Sequence, residues 1–366
     1  MINFKKFLME ETTPTMPKAG RLEDNILKGH EGVSDAADYM EELHKHLSGK
    51  NTPTEFNKNI KGSPVLFGIH PENNKYFVST EKHRLPNFSE EDIKNTHGDN
   101  AKTVEELTAL FKHGHKILPD SGIYGADVMH TPQDIKKTKG MIEFERNGLT
   151  HSIPAESAHG KAIKQSGVGV IIHTKYNGDT PIRMNKKMKE KIKFHPDVHN
   201  INTDSKPNPA NYSEKERNDY HEAMTKAKKA YASMKPEAYD GIKGHLGSLQ
   251  EHIRMAEKNG YKPTTKSYIG HLTDKHQIDL INNPNEDIQN KKRKAFGDKL
   301  EDTYKNQAHI QKVLELHNNI KHAKNILKGV SDKNDDFAYK SRDKIVTSPG
   351  LIAHAKNGKT TKIVDR

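Results

Sequence analysis

Apolar residues fall in short runs over the first half of the chain and recur at helical spacing over much of the second. Within residues 57–80, Val65-Leu66-Phe67-Gly68-Ile69 and Tyr76-Phe77-Val78 flank Pro71-Glu72-Asn73-Asn74, which predicts a hairpin entered through Lys61-Gly62-Ser63-Pro64. Further strands are expected at residues 122–129, 140–144, 149–153 and 167–173, with Asn147-Gly148 and Asn177-Gly178 as turns. Ser34 caps an expected helix running to Leu47, with Ala36, Met40, Leu43 and Leu47 on one face. Residues 81–92 read as a charged loop, and a capping box at Thr103 and Glu106 opens a second helix with Val104, Leu107, Leu110 and Phe111 facing inward.

From Met184 to about Lys340 the pattern becomes Lys-rich and helical, with a capping box at Ser213 and Glu216 and a long helix over about 298–328 ended by Gly329. Tyr304, Val313, Leu316, Ile320 and Leu327 give that helix an apolar stripe. Residues 350–353 and 361–364, on either side of Lys356-Asn357-Gly358-Lys359, predict a terminal hairpin that completes the sheet of the first half. The expected class is α+β: an antiparallel-sheet domain from residues 20–183 and 341–366, a helical insertion over 184–340, and an N-terminal tag and linker over 1–19.

Composition narrows the partners. A formal net charge of +11 over 366 residues favours a polyanionic partner such as nucleic acid, DNA or RNA, or a phosphate-rich ligand, against the plainer reading of a Lys-rich composition that binds nothing. The basic runs at 186–193 and 290–294 suit phosphate contacts or a solvated helix face, and no aromatic residues are interleaved with them for base stacking. The absence of cysteine removes disulfides, thiolate metal sites and cysteine nucleophiles. No apolar run approaches membrane-spanning length, so a soluble protein with no membrane partner is expected. The pairs His44/His46 and His113/His115 have no third ligand at metal-binding spacing and read as surface histidines. Phosphate-binding loops of the G-x-x-x-x-G-K-[ST] type, nucleophile elbows and H-E-x-x-H helices are missing from the sequence.

The blocks NIKGSP (59–64), YGADVMHT (124–131), THSIP (150–154) with GVGVIIHT (167–174), and PGLIA with KIVDR at the end follow one another in a specific order. That order resembles the motif series of covalent nucleotidyltransferases, the ATP-dependent DNA and RNA ligases. More closely, it resembles a family of uncharacterised large tailed-phage proteins bearing the same blocks. The first ten residues, MINFKKFLME, are similar to a phage capsid-targeting peptide cut after Leu8-Met9-Glu10.

The resemblance implies a ligase-like fold using ATP and Mg²⁺, with nucleic acid as partner and the host cytoplasm as location. Lys61 would be the replacement nucleophile, supported by Asp127 and Lys362, with Asp127 the metal ligand. Gly62, His151 and Lys362 would contact the nucleotide. Lys61 stands where the motif has an aspartate and His151 where it has a stacking aromatic, and two functional groups are lost. Asn59 stands where the nucleophilic lysine is expected, and an amide cannot attack an α-phosphate. Pro349 stands where a metal-orienting glutamate is expected. The expectation is therefore a ligase-like nucleotidyltransferase with weakened or lost lysyl-AMP chemistry. The alternative is a non-catalytic, nucleic-acid-binding phage protein carried inside the virion beside the head proteins.

Overall fold

The computed structural model describes residues 19–364 apart from 117–121, 179, 193, 235–236, 335–337, 342–343 and 347–348. The expected capsid-targeting tag and most of its linker lie outside the described residues. The chain opens with β1 (Gly20–Arg21), α1 (His30–Leu47), β2 (Glu55–Lys58), β3 (Ser63–Ile69) and β4 (Tyr76–Thr80). Two helices, α2 (Glu90–His97) and α3 (Ala101–Gly114), precede β5 (Ile123–His130), β6 (Lys136–Thr138), β7 (Met141–Arg146) and β8 (Leu149–Pro154). Next come α4 (Ala158–Gln165), β9 (Val168–Asn177), β10 (Thr180–Arg183), α5 (Lys186–Lys189) and β11 (Val198–Asn200). The helical part holds α6 (Glu214–Ala232), α7 (Glu237–Gly241), α8 (Leu246–Lys258), α9 (Thr265–Ile281), α10 (Glu286–Lys305) and α11 (Gln307–Asp332). Four short strands close the chain: β12 (Ala338–Ser341), β13 (Lys344–Val346), β14 (Leu351–His354) and β15 (Thr360–Ile363).

The fold is mixed α/β, with sheets that are mainly antiparallel, and it divides into two compact units. The first joins Lys58–Asp204 to Asp335–Pro349. It holds a sheet of order β10-β9-β5-β3-β4, with β11 parallel to β9, and a second of order β13-β12-β8-β7-β6. Val65, Phe67 and Val78 pack with Leu107 and Leu110 of α3 beneath one face of the first sheet. Met129 and Ile171 pack with Ile142, Phe144 and Ile153 of the second. The expected β3–β4 hairpin forms, with Phe67 opposite Val78. Asn147 and Gly148 both have positive φ, which is the geometry that makes Asn-Gly a tight hairpin turn.

The second unit joins Ala19–Asn57, Ser205–Asn334 and Gly350–Arg366. Leu22, Ile26, Met40, Tyr220, Ile320, Leu327, Leu351 and Ile363 share one core. The terminal hairpin therefore does not complete the sheet that contains β3, as its sequence pattern suggested. It pairs with β1 and β2 in a sheet of order β1-β15-β14-β2, because Leu351 and Ile363 bury against helical residues. The helical segment likewise shares its core with residues 19–57 and the C-terminal hairpin.

Several local expectations are corrected: α1 starts at His30, four residues before Ser34, and the last helix runs past Gly329 to Asp332. Residues 90–97 are helical, because Ser89 accepts from the Asp92 N–H at 3.0 Å and Asp92 accepts from the Phe88 N–H at 2.9 Å. The cap of α3 is Asn100, which accepts from the Thr103 N–H, so the helix starts two residues before Thr103. The long C-terminal helix is two helices broken at Asn306. Tyr304, 56 % exposed, falls outside the apolar stripe that buries Val313, Leu316, Ile320 and Leu327. No helix among the described residues is long and apolar enough to cross a membrane.

Candidate functional site

The entry to β3 passes unusually close to β5. A Cβ on Gly62 would lie 2.2 Å from the Val128 carbonyl oxygen, so only glycine lets the backbone through at this distance. The approach sets the Gly62 N–H on the carboxylate of Asp127, with exposed Lys61 next to it. Asp127 sits opposite Pro64 of β3, on the sheet face away from Ala126 and Val128, which pack into the core under α3. On the other side of β5 the register slips, with Gly125 opposite Thr174 and Ala126 opposite Ile172, so His173 is an extra residue in β9. Such a bulge re-aims a side chain, and His173 faces Asp127. Burial pushes the Asp127 carboxyl up from its usual range, while His173, the Gly62 N–H and Lys61 favour the ionised form.

Two amides hold this loop. Asn147 Nδ2 donates to the Lys61 carbonyl at 2.9 Å, tying the β7–β8 turn to the loop. Asn59 Nδ2 donates to the Pro349 carbonyl at 3.2 Å across 290 residues of sequence. The two positions at which the sequence loses a functional group expected from the ligase motifs thus touch each other. We expect Gly62→Ala to lower the stability of this unit by about 2–3 kcal/mol, because backbone must move to admit the methyl. Urea unfolding of variant and parent measures the difference.

Beneath α3, Ser63 hydrogen-bonds Glu106, which is only 4 % exposed. Arg146 Nη2 lies 3.1 Å from Glu106 Oε1 and 2.6 Å from Asp134 Oδ2. Lys102 Nζ reaches Asp134 at 2.5 Å and Glu105 at 3.2 Å. The Glu106 carboxyl is pushed up by burial and pulled back by Ser63, Arg146 and Lys102. Arg146 was legible in the sequence, because strand alternation places it on the same face as Ile142 and Phe144, where a cation requires acidic partners. Glu106 carried a similar signal, standing one helical turn before Leu110.

Of the residues expected to act, Lys61, Gly62 and Asp127 come together. His151 is 2 % exposed, with its ring stacked on Phe144 at 4.9 Å and edge-on to Tyr339 at 5.3 Å. To stack on a nucleotide base it would have to leave that packing. Lys362 lies in β15 opposite Ile352, in the second unit. His44 stacks on Tyr220 at 4.6 Å and His113 lies 3.5 Å from Asp197, so neither is simply solvated. Among the described residues no group of three side chains is placed to hold a metal ion.

Residues 20–366 match a family described as a family of unknown function (DUF6267). The chain belongs to that family. No curated protein and no solved structure matches it. The Lys61, Gly62 and Asp127 cluster and the Asn59–Pro349 contact lie within the matched span of this DUF6267 chain.

Proposed function

We propose that the unit built from Lys58–Asp204 and Asp335–Pro349 is a ligase-like nucleotidyltransferase module that binds ATP with weakened or lost lysyl-AMP chemistry. The observation that supports it best is the convergence of Lys61, the Gly62 N–H and Asp127 at the entry to β3. A close backbone, a mobile cation and an acid in one place are what a nucleoside triphosphate needs for its phosphates and its ribose or metal. Asp127 supplies one carboxylate, and among the described residues no group of three ligands stands ready to hold a metal ion. Mg²⁺ would therefore be held through the substrate's phosphates and water, as is usual for this ion, and would neutralise phosphate charge.

Weak chemistry follows from the Asn59–Pro349 contact. The residue in the nucleophile's place spends its amide on a carbonyl, and the residue in the metal-orienting place has no carboxylate. Incubation with ATP labelled in its α-phosphate and Mg²⁺, followed by denaturation, tests this. The expected result is reversible binding with at most trace label on the denatured chain, abolished by Lys61→Arg. Stoichiometric label on Lys61 would show undiminished chemistry and overturn the weakened reading.

The inert pair and the net charge of +11 also favour a second reading, a nucleic-acid-binding phage protein packaged in the head without catalysis. Sequencing the N-terminus of the protein from purified virions checks it. A start at Glu11 supports packaging, and an intact Met1 or absence from particles contradicts it.

A further inference from the structure

A pocket lies on the α3 side of the same sheet, away from the Asp127 face. Its volume is about 560 Å³, and its walls come from the start of β3, the turn after β4, the α2–α3 connection and the first half of α3. Val65 and Leu107 make it apolar at depth, and Glu106 reaches its floor.

The charges at its mouth are not balanced in the same way as those below. Lys102 is committed to Asp134 and Glu105, and Glu106 to Ser63 and Arg146. Lys82 and His83, both exposed on the turn after β4, have no side-chain hydrogen bond or ion pair among the described residues. That turn is rigid, with the His83 N–H on Thr80 Oγ1 at 3.1 Å and the Arg84 N–H on the Thr80 carbonyl at 3.0 Å. Across the mouth His97 sits with its ring centre 6.2 Å from that of His83, and its buried Nε2 has no hydrogen-bond partner. Asp99 is the one carboxylate near the rim, and it is exposed.

We propose that this pocket binds a mononucleotide-sized phosphomonoester, with the phosphate against Lys82, His83 and His97 and the body of the molecule against Val65 and Leu107. Three donors from two walls converge where an anion would sit, and charge-assisted hydrogen bonds of this kind are the strong ones. The apolar walls suit a planar base, and the Glu106 carboxyl at the floor suits a ring N–H. The pocket is separate from the Lys61 and Asp127 cluster, so it stands or falls independently of the ATP site.

The groups facing the phosphate are Lys82 and His83 from the β4 turn, His97 and Asp99 from the α2–α3 connection, and Lys102 and Glu106 from α3. Burial, with His83 next in effect, holds the His97 ring below the usual histidine range, so it meets the phosphate as a neutral donor.

Titration of inorganic phosphate and of AMP into the full-length protein, followed by the ring NMR signals of His83 and His97, tests the proposal. Both signals should shift saturably, with AMP binding more tightly than inorganic phosphate. Lys82→Ala should weaken both ligands about tenfold, the loss expected for one charge-assisted contact. Lys61→Ala should leave them unchanged. Equal affinity for phosphate and AMP would remove the base from the proposal and leave an anion site. Absence of shifts at millimolar ligand, or affinities that ignore both Lys82→Ala and His97→Gln, would overturn it. Loss of AMP binding on Lys61→Ala would place the ligand at the other cluster instead.

Discussion

Glu23→Gln is expected to destabilise the helical unit by about 3–5 kcal/mol, the cost of leaving one partner of a buried ion pair uncompensated. Lys324 is 1 % exposed and Glu23 is fully buried. Lys324 Nζ lies 2.9 Å from Glu23 Oε1 and donates to the Val364 carbonyl at 2.8 Å. One ammonium thus fastens together the three chain segments that build this unit. A neutral amide at position 23 can still accept a hydrogen bond but leaves the ammonium charge uncompensated in an apolar core of Ile26, Ile320, Leu327 and Ile363. A loss of this size is a large share of the stability of an ordinary domain. Removing both charges, as in the pair Glu23→Leu and Lys324→Met, should recover most of it, because no unpaired ion then remains buried. A double-mutant cycle from urea unfolding measures the coupling, and additive single effects would contradict this account.

Acid should destabilise the first unit from near pH 6.5 downward, before most of its carboxylates are protonated. His130 is fully buried, and burial, with His199 and Arg146 next in effect, holds its ring neutral down to about pH 3. His151 and His199 are likewise held neutral down to about pH 4, mainly by burial. The three rings are constrained by neighbours. His130 Nε2 lies 3.2 Å from His199 Nδ1, His199 Nε2 lies 3.3 Å from His159 Nδ1, and His151 stacks on Phe144. An unfolded histidine takes its proton near pH 6.5.

Between pH 6.5 and 4, therefore, the unfolded state binds protons that the folded state refuses, and stability falls as pH falls. Above pH 6.5 the contribution is fully present. Each unit of separation is worth about 1.4 kcal/mol per group, so even after allowance for relaxation the fall should exceed about 3 kcal/mol. Urea midpoints measured at pH 7.5, 6, 5 and 4 follow it. His199→Gln should flatten the slope, and a midpoint constant to pH 4 would show that these rings are not buried in solution.

The sequence was informative wherever a local rule decides the outcome. Asn147-Gly148 set a hairpin because both residues tolerate positive φ, and the Ser213 and Glu216 capping box forms as expected. The strand run at 123–130 was legible from its apolar residues alone. It said less where pairing is remote. Residues 350–363 look the same in sequence whether they finish the first sheet or a small one of their own. Their actual partners, β1 and β2, are only two and four residues long and too short to show a period. The helix at 158–165 was not anticipated, since eight polar-rich residues show little periodicity and the Ser157 cap is the main local signal.

For the candidate site, Lys61, Gly62 and Asp127 were found because motif order placed them. His173 lies within the GVGVIIHT block, but its orientation depends on a bulge that no single strand reveals. His151 occupied the right block, yet alternation with Ile153 on the inward face already pointed to its burial against Phe144.

The central claim is that the Lys61, Gly62 and Asp127 cluster holds a nucleoside triphosphate, and calorimetric titration of ATP with Mg²⁺ tests it most directly. The expected result is one saturable site that Asp127→Ala or Lys61→Ala weakens at least about tenfold, the effect of one charge-assisted contact, and that Lys82→Ala leaves intact. No saturable binding at millimolar ATP, or binding indifferent to both Asp127 and Lys61, would contradict it.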